Sequence, residues 1–520
     1  MAYDHIVVGA GTSGAVIASR LTEDPTVQVL LIEAGPDYPA AELPEDVRNA
    51  LAVSIRDHDW GFTAEANQGR TIAYARGRVS GGCSAINGTI ALRGIPSDFQ
   101  DWADRGNPAW AWENVLPYFR KIEDDQDFGD RSEVHGRGGP LPIVRWTDDE
   151  LIPLAARFKS SALDLGYPWV EDHNDPWSSG AGMIPMNRRG DMRVSSAVGY
   201  LEAARGRPNL TIMASTVVDR VRFDGTRAVG VDVIRNGVRE ALEGGSVVVS
   251  AGAVNTPTIL LRSGVGPAAE LAKLGIDVVV DSPGVGQNLI EHSQSLVACI
   301  PRDGVVQHEF PDVQFLIDYT APGSPHYNDM QIYCVHKLGK ERLPKLQPPA
   351  GIDLLFAAMC VINRPNSLGS ISLRSTDPEA APEIRLNLNT DRYDMERLSN
   401  GVRRCWEIVH SDAVRELWQD IAILDQRTVD DDALLSEYII ENAATIWHPV
   451  GSCRMGPSHD DMAVVDERLR VNGADDLRIA DASVFPQHVS RNPMLTCFVI
   501  GERAAEWIAT GEQEAAVAGA

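Results

Sequence analysis

The residues best suited to move a proton lie late in the chain, in Ile446-Trp447-His448-Pro449-Val450-Gly451. An imidazole is the side chain best fitted to exchange a proton near neutral pH. The proline after His448 pushes the histidine out of the α region into extended backbone, so its ring can be held in one direction. A histidine in an apolar run is also a common hydrogen-bonded core residue. His448 becomes a candidate base only if other segments bring it a reactive partner. Further on, Asn492-Pro493-Met494 reads as a helix start. Asparagine before proline makes a good N-cap for the amphipathic run 495–508, and a helix start carries partial positive charge.

The segments able to deliver a partner are rich in glycine. His5-Ile6-Val7-Val8 is a short β-branched strand, and Gly9-Ala10-Gly11-Thr12-Ser13-Gly14 follows it. A helix face continues to Leu21, and a second buried strand at 27–32 ends in Glu33-Ala34. This is the GxGxxG turn between strand and helix, with an acid about twenty residues further on, that binds dinucleotides. Gly9 permits the tight turn, Gly11 the approach of a pyrophosphate, and Gly14 the packing of helix on strand. The helix N-terminus attracts phosphate, and Glu33 can accept hydrogen bonds from a ribose diol. The motif does not separate FAD from NAD. A second stretch, Arg76-Gly77-Arg78-Val79-Ser80-Gly81-Gly82-Cys83-Ser84-Ala85-Ile86-Asn87-Gly88-Thr89, leaves many backbone N–H groups open to a ligand, or is an ordinary loop before Ile90. A third, Gly252-Ala253-Val254-Asn255-Thr256-Pro257, again joins a buried strand to a helix start.

At 520 residues the chain exceeds one ordinary core, so two or more packed units are expected. A net charge of -26 repels phosphate backbones and argues against nucleic acid as a partner. No apolar run is long enough to span a bilayer, so membrane insertion is not expected. Seven scattered cysteines without CxxC spacing suggest neither a disulfide framework nor a zinc site, and a reducing cytoplasm is the simplest compartment. Strands are expected at 210–213, 217–223, 228–234 and 246–250, and helices at 112–122 and 390–410. The acidic run 123–127 reads as a solvated turn. From about 293 to 424 the pattern turns to alternating runs such as 353–358 and 369–373, with proline-rich loops near 322–325 and 344–349. The last ten residues, from near Gly511, read as a loose tail.

Taken together, residues 9–14 with Glu33, 77–94, 252–257, 282–289, Trp447-His448-Pro449, Ala480-Asp481-Ala482 and Asn492-Pro493 resemble the glucose-methanol-choline (GMC) family of FAD-dependent alcohol oxidoreductases. The resemblance covers nearly the whole chain and is nearest the bacterial branch that oxidises hydroxymethyl groups on small aromatic or furan rings, with choline oxidases a second relation. It implies an α/β chain in which a Rossmann-like FAD-binding domain (1–150, 190–295 and 430–520) carries an inserted, mainly antiparallel α+β substrate domain (151–189 and 296–429). It also implies that Gly9, Gly11, Thr12, Ser13, Gly14, Glu33 and Ala34 hold the ADP half, with the Val217 backbone at the adenine. Val79, Gly82, Asn87, Gly88, Thr89, Ile90 and Trp447 would line the flavin, and Asp481, Ala482, Asn492 and Pro493 its ribitol and pyrimidine edge. The family's catalytic pair maps onto His448 and Asn492. Some relatives bind flavin covalently through a histidine at the position of Ile86, so non-covalent FAD is implied here. The partners implied are a small-molecule alcohol and oxygen or another electron acceptor. A lyase with redox-silent FAD, a silent flavin-binding protein and an NAD-dependent dehydrogenase are the competing readings.

Overall fold

The computed structural model describes residues 3–340, 348 and 351–511. Apart from Pro348 and Gly511, the expected loop at 344–349 and the terminal tail lie outside the described residues.

Two sheets organise the chain. In the first, Leu210–Met213, Val29–Ile32, Tyr3–Val8, Val238–Val249 and Leu477–Ile479 lie parallel, in that order. The stretches at the middle of this sheet, 6–8, Val29–Ile32 and 247–249, are apolar and buried, as a covered parallel sheet requires. Val238–Val249 belongs to two neighbourhoods. Its first half pairs antiparallel with Arg227–Arg235, which pairs in turn with Thr216–Asp224, and its second half runs parallel to Tyr3–Val8. Burial follows this change: the first half is mostly exposed and Val247, Val248 and Val249 are buried. Helix Thr12–Leu21 packs on the C-terminal helix Met494–Ala509, and the Ser13 hydroxyl donates to the Cys497 carbonyl at 2.7 Å. The C-terminal helix is buried nearly all round, not on one face as the sequence pattern suggested.

The second sheet is mainly antiparallel. Its order is Trp418–Ala422, Ser293–Pro301, Leu354–Ile362, Met330–Gly339, Phe315–Tyr319, Gly180–Met183 and Trp169–Val170, with Ala444–Thr445 paired on Ser293–Pro301. Helices Arg392–His410 and Pro153–Asp164 pack against it. The register places Leu296, Met359 and Tyr333 side by side across three strands, and Gln294, Val361, Gln331 and Asp318 across four. With a side-chain period of two, these rows share one face. Leu296, Met359, Tyr333 and Gln294 line the central cavity. The fold is thus the expected α/β architecture with an antiparallel insert.

One local expectation is overturned. Glu123–Asp125 is a strand, not a solvated turn, and Glu123 and Asp125 are buried. Arg93 donates to both oxygens of Glu123 at 2.7 Å. Arg145 bridges Asp125 at 3.0 Å and Asp172 at 2.6 Å. His135 sits between them, 3.0 Å from Asp125 and 2.8 Å from Asp172. Burial opposes charge on His135, but bonds to Asp125, Asp172 and Glu123 outweigh it and lift its pKa to about 10. Three buried carboxylates thus face two guanidiniums and an imidazolium, a charge-balanced cluster in which each ion has a partner.

Candidate active site

One cavity of about 980 Å³ runs between the two sheets. That is at the upper end of ligand pockets, roughly 300–1,000 Å³. Its walls include Gly9, Gly11, Thr12, Ser13, Glu33, Ala34, Gly82, Asn87, Gly88, Ile90 and Val217. Trp447, His448, Asp481, Ala482, Asn492 and Pro493 line it as well. Among the residues predicted from sequence, Gly14, Val79 and Thr89 stand behind the wall instead. A Cβ on Gly14 would lie 2.0 Å from the Gly9 carbonyl oxygen, so its role is the close packing of turn on helix. Val79 packs with Val47, Ala85 and Ile86. Thr89 is fully buried, and its hydroxyl donates to the Ala50 carbonyl at 2.9 Å.

At one end the Glu33 carboxylate accepts from the Ala10 and Gly35 amides at 2.9 and 2.8 Å. Burial nevertheless lifts its pKa to about 7, because those two bonds only partly offset desolvation. Further along, the two glycine loops pinch together. Gly82 has φ +51, and a Cβ there would sit 2.8 Å from the Gly11 Cα. Only a bare backbone fits this crossing. Asp481 ties in the third segment, accepting from the Gly252 amide at 2.8 Å, the Thr256 hydroxyl at 2.6 Å and the Ser483 amide at 2.8 Å. The N-terminal end of helix Met494–Ala509 opens on the same space, where its partial positive charge favours an anionic group. A cavity of this size lined by a buried acid and clustered backbone amides suits a dinucleotide.

His448 stands at the other end, held from several sides. Its amide donates to Glu291 at 2.7 Å, and its carbonyl accepts from His488 Nε2 at 2.8 Å. Tyr74 donates to the second Glu291 oxygen at 2.5 Å. Trp447 adopts a left-handed φ of +62, rare for a bulky side chain. Arg76 fixes that bend by donating to the Trp447 carbonyl at 2.6 Å, while the Trp447 amide donates to the Thr445 hydroxyl at 2.9 Å.

The hydrogen bonds also set the tautomer. His292 Nε2 faces the Asn363 and Val489 carbonyls at 2.8 and 3.2 Å, so it must carry the proton. His292 Nδ1 is then an acceptor, and it lies 3.0 Å from His448 Nδ1. His448 must donate there, which leaves its Nε2 lone pair free. That nitrogen is 3.4 Å from the Asn492 side-chain nitrogen, beside the cavity. Burial, with His488 and Arg76 nearby, holds the His448 pKa well below its ordinary value, so the ring is a neutral acceptor at pH 7. Asn492 makes no capping bond; the helix begins one residue later, with Pro493 at the N-cap, and the amide faces His448 and Tyr333. Arg76, Glu291, His292, Tyr333 and His488 were not among the predicted site residues. Their signal in the sequence was polar side chains inside apolar runs, as in Leu289-Ile290-Glu291-His292 and Gln331-Ile332-Tyr333.

The family profile of the GMC oxidoreductases matches residues 3–294 in its N-terminal part and 365–501 in its C-terminal part. The chain belongs to the GMC oxidoreductase family. It is 33% identical to the 5-(hydroxymethyl)furfural oxidase of Methylovorus sp. (strain MP688), covering 98% of this chain and 99% of that protein. It is also 33% identical to the mitochondrial choline dehydrogenase of Homo sapiens, over 97% of this chain and 89% of that one. Among solved structures, pyridoxine 4-oxidase from Mesorbium loti superposes with a TM-score of 0.89 at 31% identity, covering 97% and 98% of the two chains. The protein is an FAD-dependent oxidoreductase acting on alcohol groups.

With FAD as the cofactor, Glu33→Gln is expected to weaken its binding, because a charged acceptor makes the stronger hydrogen bond. The lifted Glu33 pKa adds a sign. The carboxylate is charged above about pH 7 and neutral below, so FAD affinity of the wild-type apoprotein falls as pH drops through that value. The variant loses this dependence. Fluorescence titration of apoprotein with FAD at pH 6 and 8 measures both, and equal affinities in variant and wild type at both pH values would remove Glu33 from the site.

Proposed function

We propose that the chain oxidises the hydroxymethyl group of a small, uncharged, flat alcohol, with His448 Nε2 as the base and FAD held without a covalent bond. The observation that carries this reading is the tautomer chain. His292 obliges His448 to present a lone pair to the cavity, and the side chains around that point are mainly apolar. Leu296, Val335, Ala357, Met359 and Ile446 line the cavity with Tyr333. Such a wall favours an aryl or furan ring over a cation. The named substrates of two relatives, 5-(hydroxymethyl)furfural and pyridoxine, are ring compounds of this kind.

When bound, FAD supplies the two-electron acceptor for the hydride that leaves the carbinol carbon. The chain's own residues do the rest. His448 Nε2 takes the hydroxyl proton, and the Asn492 amide donates to the same oxygen as its charge grows. Glu291 and His488 hold the His448 backbone so that the ring does not swing away. Ile86, at the position of the covalent histidine in some relatives, is 4% exposed and packs with Val47 and Val79. Oxygen or another acceptor then takes the electrons.

Mixing holoenzyme with benzyl alcohol, 5-(hydroxymethyl)furfural, pyridoxine and choline without oxygen tests the reading. The flavin absorbance is expected to bleach with the neutral ring alcohols and least with choline. A flavin bleached by none of them would favour the lyase or silent reading, and one bleached fastest by choline would overturn the substrate class.

A further inference from the structure

The bond chain that ends at Asn492 is one proton short, and the shortage falls on Tyr333. Its far end is Asp318, fully buried on Phe315–Tyr319. Burial works against charge on that carboxyl, but Arg491, 3.1 Å away, and His173, 2.8 Å away, outweigh it and keep it below its ordinary pKa. A charged carboxylate only accepts, so the Gln331 amide must turn its NH₂ to Asp318, at 2.9 Å. Its carbonyl oxygen then faces the Tyr333 hydroxyl at 2.9 Å and needs that proton. From the other end, neutral His448 presents a lone pair to Asn492, so the Asn492 amide must turn its NH₂ to His448 and its oxygen to Tyr333, at 3.2 Å. It needs the same proton. The Tyr333 phenol has one hydrogen and two acceptors, and burial keeps it far from ionising.

The conflict disappears when His448 is protonated. Its Nε2–H then donates to the Asn492 oxygen, the turned amide donates to the Tyr333 oxygen, and Tyr333 donates to Gln331. Every group is satisfied. We propose that the Asp318–Gln331–Tyr333 chain is a positioning device that raises the proton affinity of His448 by making the Asn492 amide reversible. While a substrate oxygen is bound, the NH₂ faces the site and the Tyr333 proton serves Asn492. Once the product has left, the amide turns and stabilises the imidazolium that remains. The inference rests on the reading of His448 as the base. The other polar groups that face His448 are His292 at Nδ1, His488 at its carbonyl, Glu291 at its amide, and the Arg76 guanidinium one residue away on Trp447. None of these changes partner in the two arrangements.

The direct test is the titration of His448 in substrate-free holoenzyme by NMR of ring-labelled histidine, with the signal assigned by its loss in His448→Asn. Gln331→Leu leaves the Tyr333 proton to Asn492 alone, which suits neutral His448 and leaves Tyr333 without an acceptor when the ring is charged. Its His448 midpoint is expected to fall by about one pH unit or more, on the order of an unmet buried hydrogen bond. Tyr333→Phe removes the conflict without favouring either state, so its midpoint falls less. Flavin absorbance and melting temperature check that each variant is folded and loaded, and either variant alone suffices for the comparison with wild type. A midpoint unchanged or raised in the folded variants, or a His448 that stays neutral to the acid limit of folding in wild type and variants alike, would overturn the proposal. Because no alcohol is used, these outcomes are independent of whether the substrate class is right.

Discussion

Replacing His448 with alanine is expected to leave FAD bound and to slow its reduction by an alcohol on the order of 10²–10⁴-fold. The separation of the two effects follows from the geometry. The glycine loops, Glu33 and Asp481, proposed to hold the dinucleotide, take none of their hydrogen bonds from the imidazole. What the variant loses is a lone pair placed beside Asn492 by a relay through His292. His292→Ala removes the relay and not the base, so it should cost less than His448→Ala, and the two losses should combine less than additively because they act as one unit. Rapid mixing without oxygen gives the reduction rate, and the flavin spectrum gives the loading. Reduction at the wild-type rate in His448→Ala would mean that the base is elsewhere.

The largest expected effect on stability comes from the cluster that looked solvated in sequence. Arg145→Leu keeps much of the volume but leaves Asp125 and Asp172, both buried, to share the single charge of His135. Removing one partner of a buried pair costs about 3–5 kcal/mol, because the remaining charge stays desolvated. The expected result is a large drop in melting temperature at pH 7, partly recovered in Arg145→Leu/Asp125→Asn, where one stranded charge is gone. A variant that melts with the wild type would show that the cluster is hydrated.

How much of this was legible depended on the distance over which residues act. The GxGxxG turn, Glu33 and the strands beside them are local, and period, turn residues and spacing are enough to read them. His448 and Asn492 could be singled out because each sits beside a proline in a distinctive local frame. What fixes their chemistry was not legible. His292 lies 156 residues from His448, and Tyr333 lies 159 from Asn492, so only tertiary packing brings them together. The acidic run 123–127 misled for a similar reason: Arg93 lies 30 residues from Glu123, Arg145 lies 20 from Asp125, and even His135 lies 12 from Glu123, so no neighbour in the run itself shows the neutralisation. Asn492 is a smaller case. Its cap geometry looked right, but the helix starts one residue later and tertiary partners claim the amide.

In the proposed reaction an alcohol loses its hydroxyl proton to His448 and a hydride from the adjoining carbon. The measurement closest to it is anaerobic rapid mixing of holoenzyme with benzyl alcohol and with its α,α-dideuterated form, following flavin absorbance across pH. The flavin is expected to be reduced, deuterium on the carbinol carbon to slow the reduction, and the rate to rise with pH on the acid side of neutrality, where His448 loses its proton. An unreduced flavin, or a reduction indifferent to both deuterium and His448→Ala, would contradict it.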